Sequence, residues 1–215
     1  MQTKRIVFMS DSHGAHNLIP VPDGNIFIHA GDFTGMGREQ EVKSFADFLR
    51  RLPHKHKIVI AGNHDVSFER NRDEARKWLG DSCIYLENEG VEIDGIHIWG
   101  SPIHPHFDDT GTWAFGVRWP KIMDTWQRIP ENTDILITHG PPRDILDEMG
   151  PGSHRPGCEE LRKVVDRIKP KIHVFGHIHE SGGVRELNGT IFINAAVLNE
   201  QYQIKRGCVV VDYAN

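Results

Sequence analysis

Along this chain, short and nearly continuous runs of Ile, Val and Phe alternate with longer stretches in which apolar residues recur every three or four positions. The runs at 5–9, 25–30, 57–61, 134–138 and 171–175 read as strands covered on both faces, because so few of their positions are polar. Further strands are predicted at 83–86, 190–194 and 207–212, and at 90–99 as a hairpin that turns at Asp94-Gly95. At 38–52, Val42, Phe45, Ala46, Leu49 and Leu52 fall on one helical face before Pro53 ends the pattern. At 158–168, Leu161, Val164, Val165 and Ile168 do the same, with Pro170 as the stop, and a shorter helix at 72–79 ends at Gly80. Segments 35–37, 104–116 and 150–157 are rich in Gly, Pro, Asp and Thr and read as loops. The alternation predicts an α/β domain with helices packed outside the sheet. No repeat or linker interrupts it, so one domain over 1–215 is expected.

Each of the five strongest strands runs straight into a short polar motif: Asp11-Ser12-His13, Gly31-Asp32, Gly62-Asn63-His64-Asp65, His139-Gly140 and Gly176-His177-Ile178-His179. Ligands of α/β sheets bind at the carboxyl ends of strands, so five such motifs can meet at one place. Alone, each has a plainer reading: a helix cap at Asp11, a turn at Gly62-Asn63, a packed loop histidine at His139. Their joint occurrence at successive strand ends favours a site. Carboxylates, imidazoles and one amide make a mixed oxygen and nitrogen donor set suited to Mn, Fe, Zn, Co or Ni, unlike the thiolates of structural zinc. Asp11, His13, Asp32, Asn63, His139, His177 and His179 are too many for one tetrahedral ion. They fit two ions roughly 3.5–4 Å apart that share a carboxylate. The glycines beside four of them let the backbone turn tightly.

Composition narrows the picture. The chain has 215 residues, with 25 Lys and Arg against 30 Asp and Glu, so a basic surface for nucleic acid or membrane is not expected. Cys83, Cys158 and Cys208 form no C-x-x-C pair and read as reduced thiols. No stretch approaches the length of a membrane span, and a cytoplasmic protein is the expectation. Of the 14 histidines, His54 and His56 sit among lysines and are expected to be solvated, His104 and His106 lie in a loop near the expected cleft, and His154 is left open.

The ordered motifs D-x-H, G-D, G-N-H-D, H-G and G-H-x-H resemble the calcineurin-like metallophosphoesterase superfamily. Gly100-Ser101-Pro102, Trp113-Ala114-Phe115, His139-Gly140-Pro141-Pro142, Gly157-Cys158, Asn194-Ala195-Ala196 and Asn199-Glu200-Gln201-Tyr202 are similar to its metallophosphoesterase domain-containing (MPPED) subgroup. The resemblance implies two packed, largely mixed β-sheets flanked by helices, a four-layer α/β sandwich. It implies that Asp11, His13 and His179 hold one metal, Asn63, His139 and His177 a second, and that Asp32 bridges them. His64 corresponds to a catalytic histidine that is not a ligand, with Asp65 expected to orient it.

The implied activity is dinuclear metal-dependent hydrolysis of a phosphate ester by metal-activated hydroxide, with Mn the leading metal and His64 protonating the departing alkoxide. The subgroup favours a phosphodiester, including cyclic nucleotides. In that case the loop with Trp113, Phe115, Arg118 and Trp119 stacks a base; the alternative is that these rings only cap the core. The substrate expected is a small ester, with no long nucleic acid and no membrane. Phosphomonoesterase or protein phosphatase activity on the same site, a nuclease, and a metal-binding scaffold with little turnover are the competing readings.

Overall fold

The structure is a computed structural model and describes residues 3–150, 152–153 and 155–214. Its strands are β1 (Lys4–Met9), β2 (Ile26–Ala30), β3 (His56–Ile60), β4 (Ile84–Tyr85), β5 (Glu89–Ile93), β6 (Ile96–Ser101), β7 (His104–Pro105), β8 (Gly116–Val117), β9 (Ile135–Thr138), β10 (Ile172–Phe175), β11 (Gly183–Leu187), β12 (Thr190–Asn194) and β13 (Val209–Tyr213). The helices are α1 (Glu39–Arg51), α2 (Ser67–Arg70), α3 (Arg72–Leu79), α4 (Lys121–Gln127) and α5 (Glu159–Ile168).

Two large mixed sheets pack face to face. One has the order β13-β1-β2-β3-β4 and the other β11-β12-β10-β9-β6-β5. In the first, β1, β2 and β3 run parallel, and in the second β6, β9, β10 and β12 do. Strand alternation divides the side chains between layers. Ile6, Phe8, Ile26, Ile28, Ile58 and Ile60 meet Ile98, Ile135, Ile137, Ile172, Val174 and Ile193 between the sheets. On the outer face of the first sheet, Val7, Met9, Phe27 and Val59 pack against Val42, Phe45, Ala46 and Leu49 of α1 and Ala75 and Leu79 of α3. On the outer face of the second, Leu136, Phe175 and Phe192 pack against Ile122 and Trp126 of α4 and Leu161 and Val165 of α5. The result is the four-layer α/β/β/α arrangement, and it explains why the strand runs are apolar on both faces.

The predicted elements fall within one or two residues of the observed ones, and 72–79 and 190–194 match in full. Helices α2 and α4 and strands β7, β8 and β11 went unpredicted. One histidine expectation needs correction. His54 is buried, with its ring 5.6 Å from that of Phe27, and burial lowers its pKa. The lysines beside it occupy the surface while its apolar ring faces inward. His154 lies outside the described residues. No helix among the described residues is long and apolar enough to cross a membrane.

Candidate metal centre

All five motifs lie at the carboxyl ends of parallel strands, where the two sheets meet. Asp11 and His13 follow β1, Asp32 follows β2 and Asn63 follows β3; His139 follows β9, and His177 and His179 follow β10. Their functional atoms converge. The Asp11 Oδ1 is 3.2 Å from His179 Nε2, which is 3.3 Å from His13 Nε2. The Asn63 Oδ1 is 2.9 Å from both His139 Nε2 and His177 Nδ1. Between these groups stands Asp32, with Oδ2 3.7 Å from His13 Nε2 and 3.4 Å from His139 Nε2. Asp11, His13 and His179 thus form one cluster able to hold a metal, and Asp32, His139 and His177 another. All seven residues expected as ligands are brought together.

The local backbone is bent to achieve this. Asp11, His13, Asp32 and His177 all have φ in the left-handed region, at 54°, 41°, 56° and 68°. Non-glycine residues adopt such angles at a cost of order 1–3 kcal/mol each where the surroundings impose them, and they cluster at functional sites. Two glycines allow the close approach of neighbouring loops. A Cβ on Gly62 would stand 2.6 Å from the Asp32 backbone nitrogen and from His139 Cε1, and one on Gly176 would overlap the Asp11 carboxylate.

Ring orientation is fixed from behind. His139 Nδ1 donates to the Ala30 carbonyl at 3.0 Å, and His179 Nδ1 donates to the Asn199 carbonyl at 2.9 Å, so each turns Nε2, the atom free to meet a metal, toward the cluster. His104, buried, stacks on His177 with ring centroids 5.1 Å apart; its Nδ1 lies 2.8 Å from the Pro105 carbonyl and its Nε2 2.9 Å from the Ala114 carbonyl, and the neutral ring donates to one of them.

Electrostatics follow from burial and pairing. Burial works against the charge of Asp11, yet the hydrogen bond and charge of His179, with His139, hold its carboxyl well below the usual range. Burial likewise opposes ionised Asp32, and His139 and His13 hold it well down. Despite burial, Asp32 raises His139 to about 9 and Asp11 raises His179 to about 9. Burial lowers His13 to about 4 and, with His139 beside it, takes His177 well below its ordinary value. The residues fit a pair of divalent cations. Every converging atom is an oxygen or imidazole nitrogen, and two imidazoles carry the positive charge that bound ions would otherwise supply.

His64 lies beside the cluster, with its ring nitrogen close enough to His13 and Asp32 for those three to form a further group able to hold a metal. Its Nδ1 is 2.8 Å from the Gly35 carbonyl, and its ring rests 4.1 Å from that of Trp113. The expectation that Asp65 orients this ring is corrected by the hydrogen bonds. The buried Asp65 carboxylate accepts from the backbone N–H of Asp32, Thr34 and Gly62, and from the Thr34 hydroxyl, at 2.7–3.0 Å. It staples the loop after β2 to the loop after β3, and Gly35 takes the orienting role. Burial and the charge of Asp32 push the Asp65 carboxyl up to about 7, against the pull of Thr34 and Gly62.

A cleft of about 280 Å³ opens over the cluster. Trp113, Phe107, Tyr202, Glu180 and Glu200 line its walls, and among the described residues no Lys or Arg does. Tyr202 has φ 59° and places its ring edge-on to His13, with centroids 4.9 Å apart. Of these walls only Trp113 was weighed as a candidate from the sequence. Tyr202 and Glu200 stood within a subgroup motif, but nothing in their spacing says that they face the cluster. Phe115 is buried in the core behind the cleft, and Trp119 stands exposed outside it.

Two packed mixed sheets with Asp, Asn and His side chains gathered where they meet define the class of metal-dependent phosphoesterases. Comparison with known proteins agrees: the family model for calcineurin-like phosphoesterases matches residues 4–181. The chain is 39% identical to metallophosphoesterase domain-containing protein 1 of Homo sapiens, over 97% of this chain and 70% of that protein. It is also 39% identical to a UPF0046 protein of Caenorhabditis elegans, over 96% of this chain and 74% of that one. Among solved structures, phosphopantetheinyl hydrolase PptH of Mycobacterium tuberculosis shares the fold with a TM-score of 0.64 at 17% identity, covering 92% of this chain and 90% of that one. The chain belongs to the calcineurin-like phosphoesterase family, whose members hydrolyse phosphoesters with two metal ions.

Proposed function

We propose that this chain hydrolyses phosphodiesters, with Asp11, His13 and His179 holding one divalent cation, Asn63, His139 and His177 a second, and Asp32 bridging both. Manganese is the leading candidate for this oxygen and imidazole donor set, with Fe, Zn, Co and Ni as alternatives. When bound, such ions supply Lewis acidity toward phosphoryl oxygens and make water acidic enough to attack phosphorus near neutral pH.

The protein's own residues do the rest. The Gly35 carbonyl accepts from Nδ1–H of His64, and the imidazolium form, which also carries a hydrogen on Nε2, gives that proton to the departing alkoxide and is left as neutral imidazole. Trp113 and His13 fix the plane of that ring from two sides. Asp65 keeps Asp32 and Asn63 in register by tying their loops together.

The observation that carries the diester reading is the charge of the cleft. A phosphomonoester dianion carries one negative charge more than a diester, and that extra charge favours a cleft with cationic side chains beside the metals. This cleft offers Glu180 and Glu200 in that position instead, and aromatic rings. A monoanionic diester with an apolar or cyclic ester group suits it better, a nucleotide diester among them. The three unpaired cysteines accord with a cytoplasmic location.

The test is hydrolysis of bis(p-nitrophenyl) phosphate and p-nitrophenyl phosphate by metal-stripped protein reconstituted with each metal in turn. The diester is expected to be preferred, and Asp32→Ala is expected to lose both metals by mass spectrometry together with turnover. Two retained metals and full activity in Asp32→Ala would sink the site assignment. A preference for the monoester would sink the diester reading.

A further inference from the structure

The cleft over the metal cluster does not end at its walls. Phe107 and His177 also line a second hollow of about 310 Å³, whose far side is made by Pro105, His106 and Pro156. Those three residues in turn begin a third hollow of about 470 Å³, bounded by Val117, Trp119 and Ile122. Sharing these walls, the three hollows lie side by side in a row, a segmented groove from the cluster, past Phe107, to Trp119. We propose that this groove seats one long, uncharged ester arm of the substrate, so that the enzyme acts on extended phosphodiesters rather than compact ones. The inference rests on the diester reading given above and adds the shape and polarity of the substrate.

The character of the walls supports the choice of arm. Pro105, Phe107, Pro141 and Pro156 give rigid apolar surface along the middle, and Trp119, 70% exposed, gives a flat ring at the end with nothing covering it. Rigid aromatic and proline surface binds apolar groups without losing much side-chain freedom. Several polar groups along the groove are paired with one another or with a neighbour. Arg118 and His106 both pair with Asp109, and Glu160 pairs with Lys163. A second phosphate on the arm would face Glu159 and Glu160 at the far end, and the one Arg among the described lining residues, Arg118, already pairs with Asp109.

The loop that forms this wall is built to hold its place. Strands β7 and β8 pair His104 with Gly116 and Pro105 with Val117, which closes residues 106–115 into a loop. Asp108 accepts from the backbone N–H of Thr110 and Thr112, and Arg70 of α2 donates to the Gly111 and Thr112 carbonyls. The Ala114 N–H donates to the Asn63 carbonyl, tying the loop to the metal cluster itself. Groove and cluster are thereby positioned by one another.

The experiment uses p-nitrophenyl phosphodiesters whose second arm is methyl or 4-phenylbutyl, with the manganese-reconstituted protein and with Trp119→Ala. The wild-type kcat/KM is expected to favour the phenylbutyl ester by about tenfold or more, as for one apolar group seated in a pocket. In Trp119→Ala that ratio is expected to fall to near one, through KM. Phe107→Ala, at the passage between the first two hollows, is expected to reduce the ratio as well. Calorimetry with 4-phenylbutyl methyl phosphate against dimethyl phosphate reads the same preference without turnover. A wild-type ratio near one, or an unchanged ratio in Trp119→Ala, overturns the groove. Hydrolysis of neither ester overturns the diester reading instead, and the calorimetric preference then decides the groove by itself.

Discussion

At the scale of single residues, the role proposed for His64 separates proton delivery from metal binding. The ring lies beside the cluster, and its Nδ1 is committed to Gly35. His64→Ala is therefore expected to retain both metals while losing roughly 10²–10³ in kcat on alkyl esters. On p-nitrophenyl esters, whose leaving group departs without a proton, the loss should be much smaller. Equal losses on both esters, measured by steady-state kinetics, would assign His64 a different role. The convergence of the seven Asp, Asn and His residues is legible in the sequence because each follows an apolar strand, and strand ends in parallel sheets share an edge. Asp65 was only half legible. Its place in G-N-H-D is visible, but its bonds run to Asp32 and Thr34, about thirty positions away, and no local pattern encodes them. The same holds for Phe107 and Tyr202, which long-range topology alone brings to the cleft.

At the scale of elements, the strongly patterned pieces were readable, and the ones missed are very short or carry no apolar run. Helix α4 shows why. Ile122, Met123, Trp126 and Ile129 have helical spacing, but the pattern covers only two turns between polar residues, below the length at which periodicity stands out. Its stability comes from packing. Trp126 is 1% exposed, lies among Leu161, Val165 and Leu136, and donates its indole N–H to Cys158 Sγ. Trp126→Ala is expected to cost about 3–5 kcal/mol in urea unfolding, the range for emptying a large buried ring site. A cost below about 1 kcal/mol would show that α4 is not a structural part of the outer layer. Strand β11 escaped for a different reason: as an edge strand with Arg185 and Glu186 exposed, it has no apolar run to detect. Its antiparallel pairing with β12 is what defines it.

For the molecule as a whole, the four-layer order was implied by resemblance, whereas the alternation of strand side chains explains it physically. Every strand feeding the centre is covered twice, by the other sheet and by helices. Such complete coverage also traps histidines. His16 and His173 are buried away from the metal cluster, and burial lowers them to about 4 and about 3. At neutral pH both states of the protein hold these rings uncharged, so they contribute nothing. Below pH 6.5 the unfolded chain takes up protons that the folded one refuses, and stability falls. The cost reaches about 2 kcal/mol per ring at pH 5. Urea midpoints measured from pH 7.5 to 5 should decline accordingly, and His173→Gln should flatten the decline.

The placement of the metal donors across the two sheets reaches beyond catalysis. Asp11, His13, Asp32 and Asn63 belong to one sheet and His139, His177 and His179 to the other, so ions bound there would act as a rivet through the sandwich. Ligands that bind only the folded state add about 2.7 kcal/mol at a hundredfold excess over Kd. Chelation is then expected to lower the melting temperature and to open the joint between the sheets to limited proteolysis, with divalent metal restoring both. Insensitivity of melting and cleavage to chelator would count against the rivet. If it holds, metal supply sets how long each copy of the protein survives, as well as how fast it works.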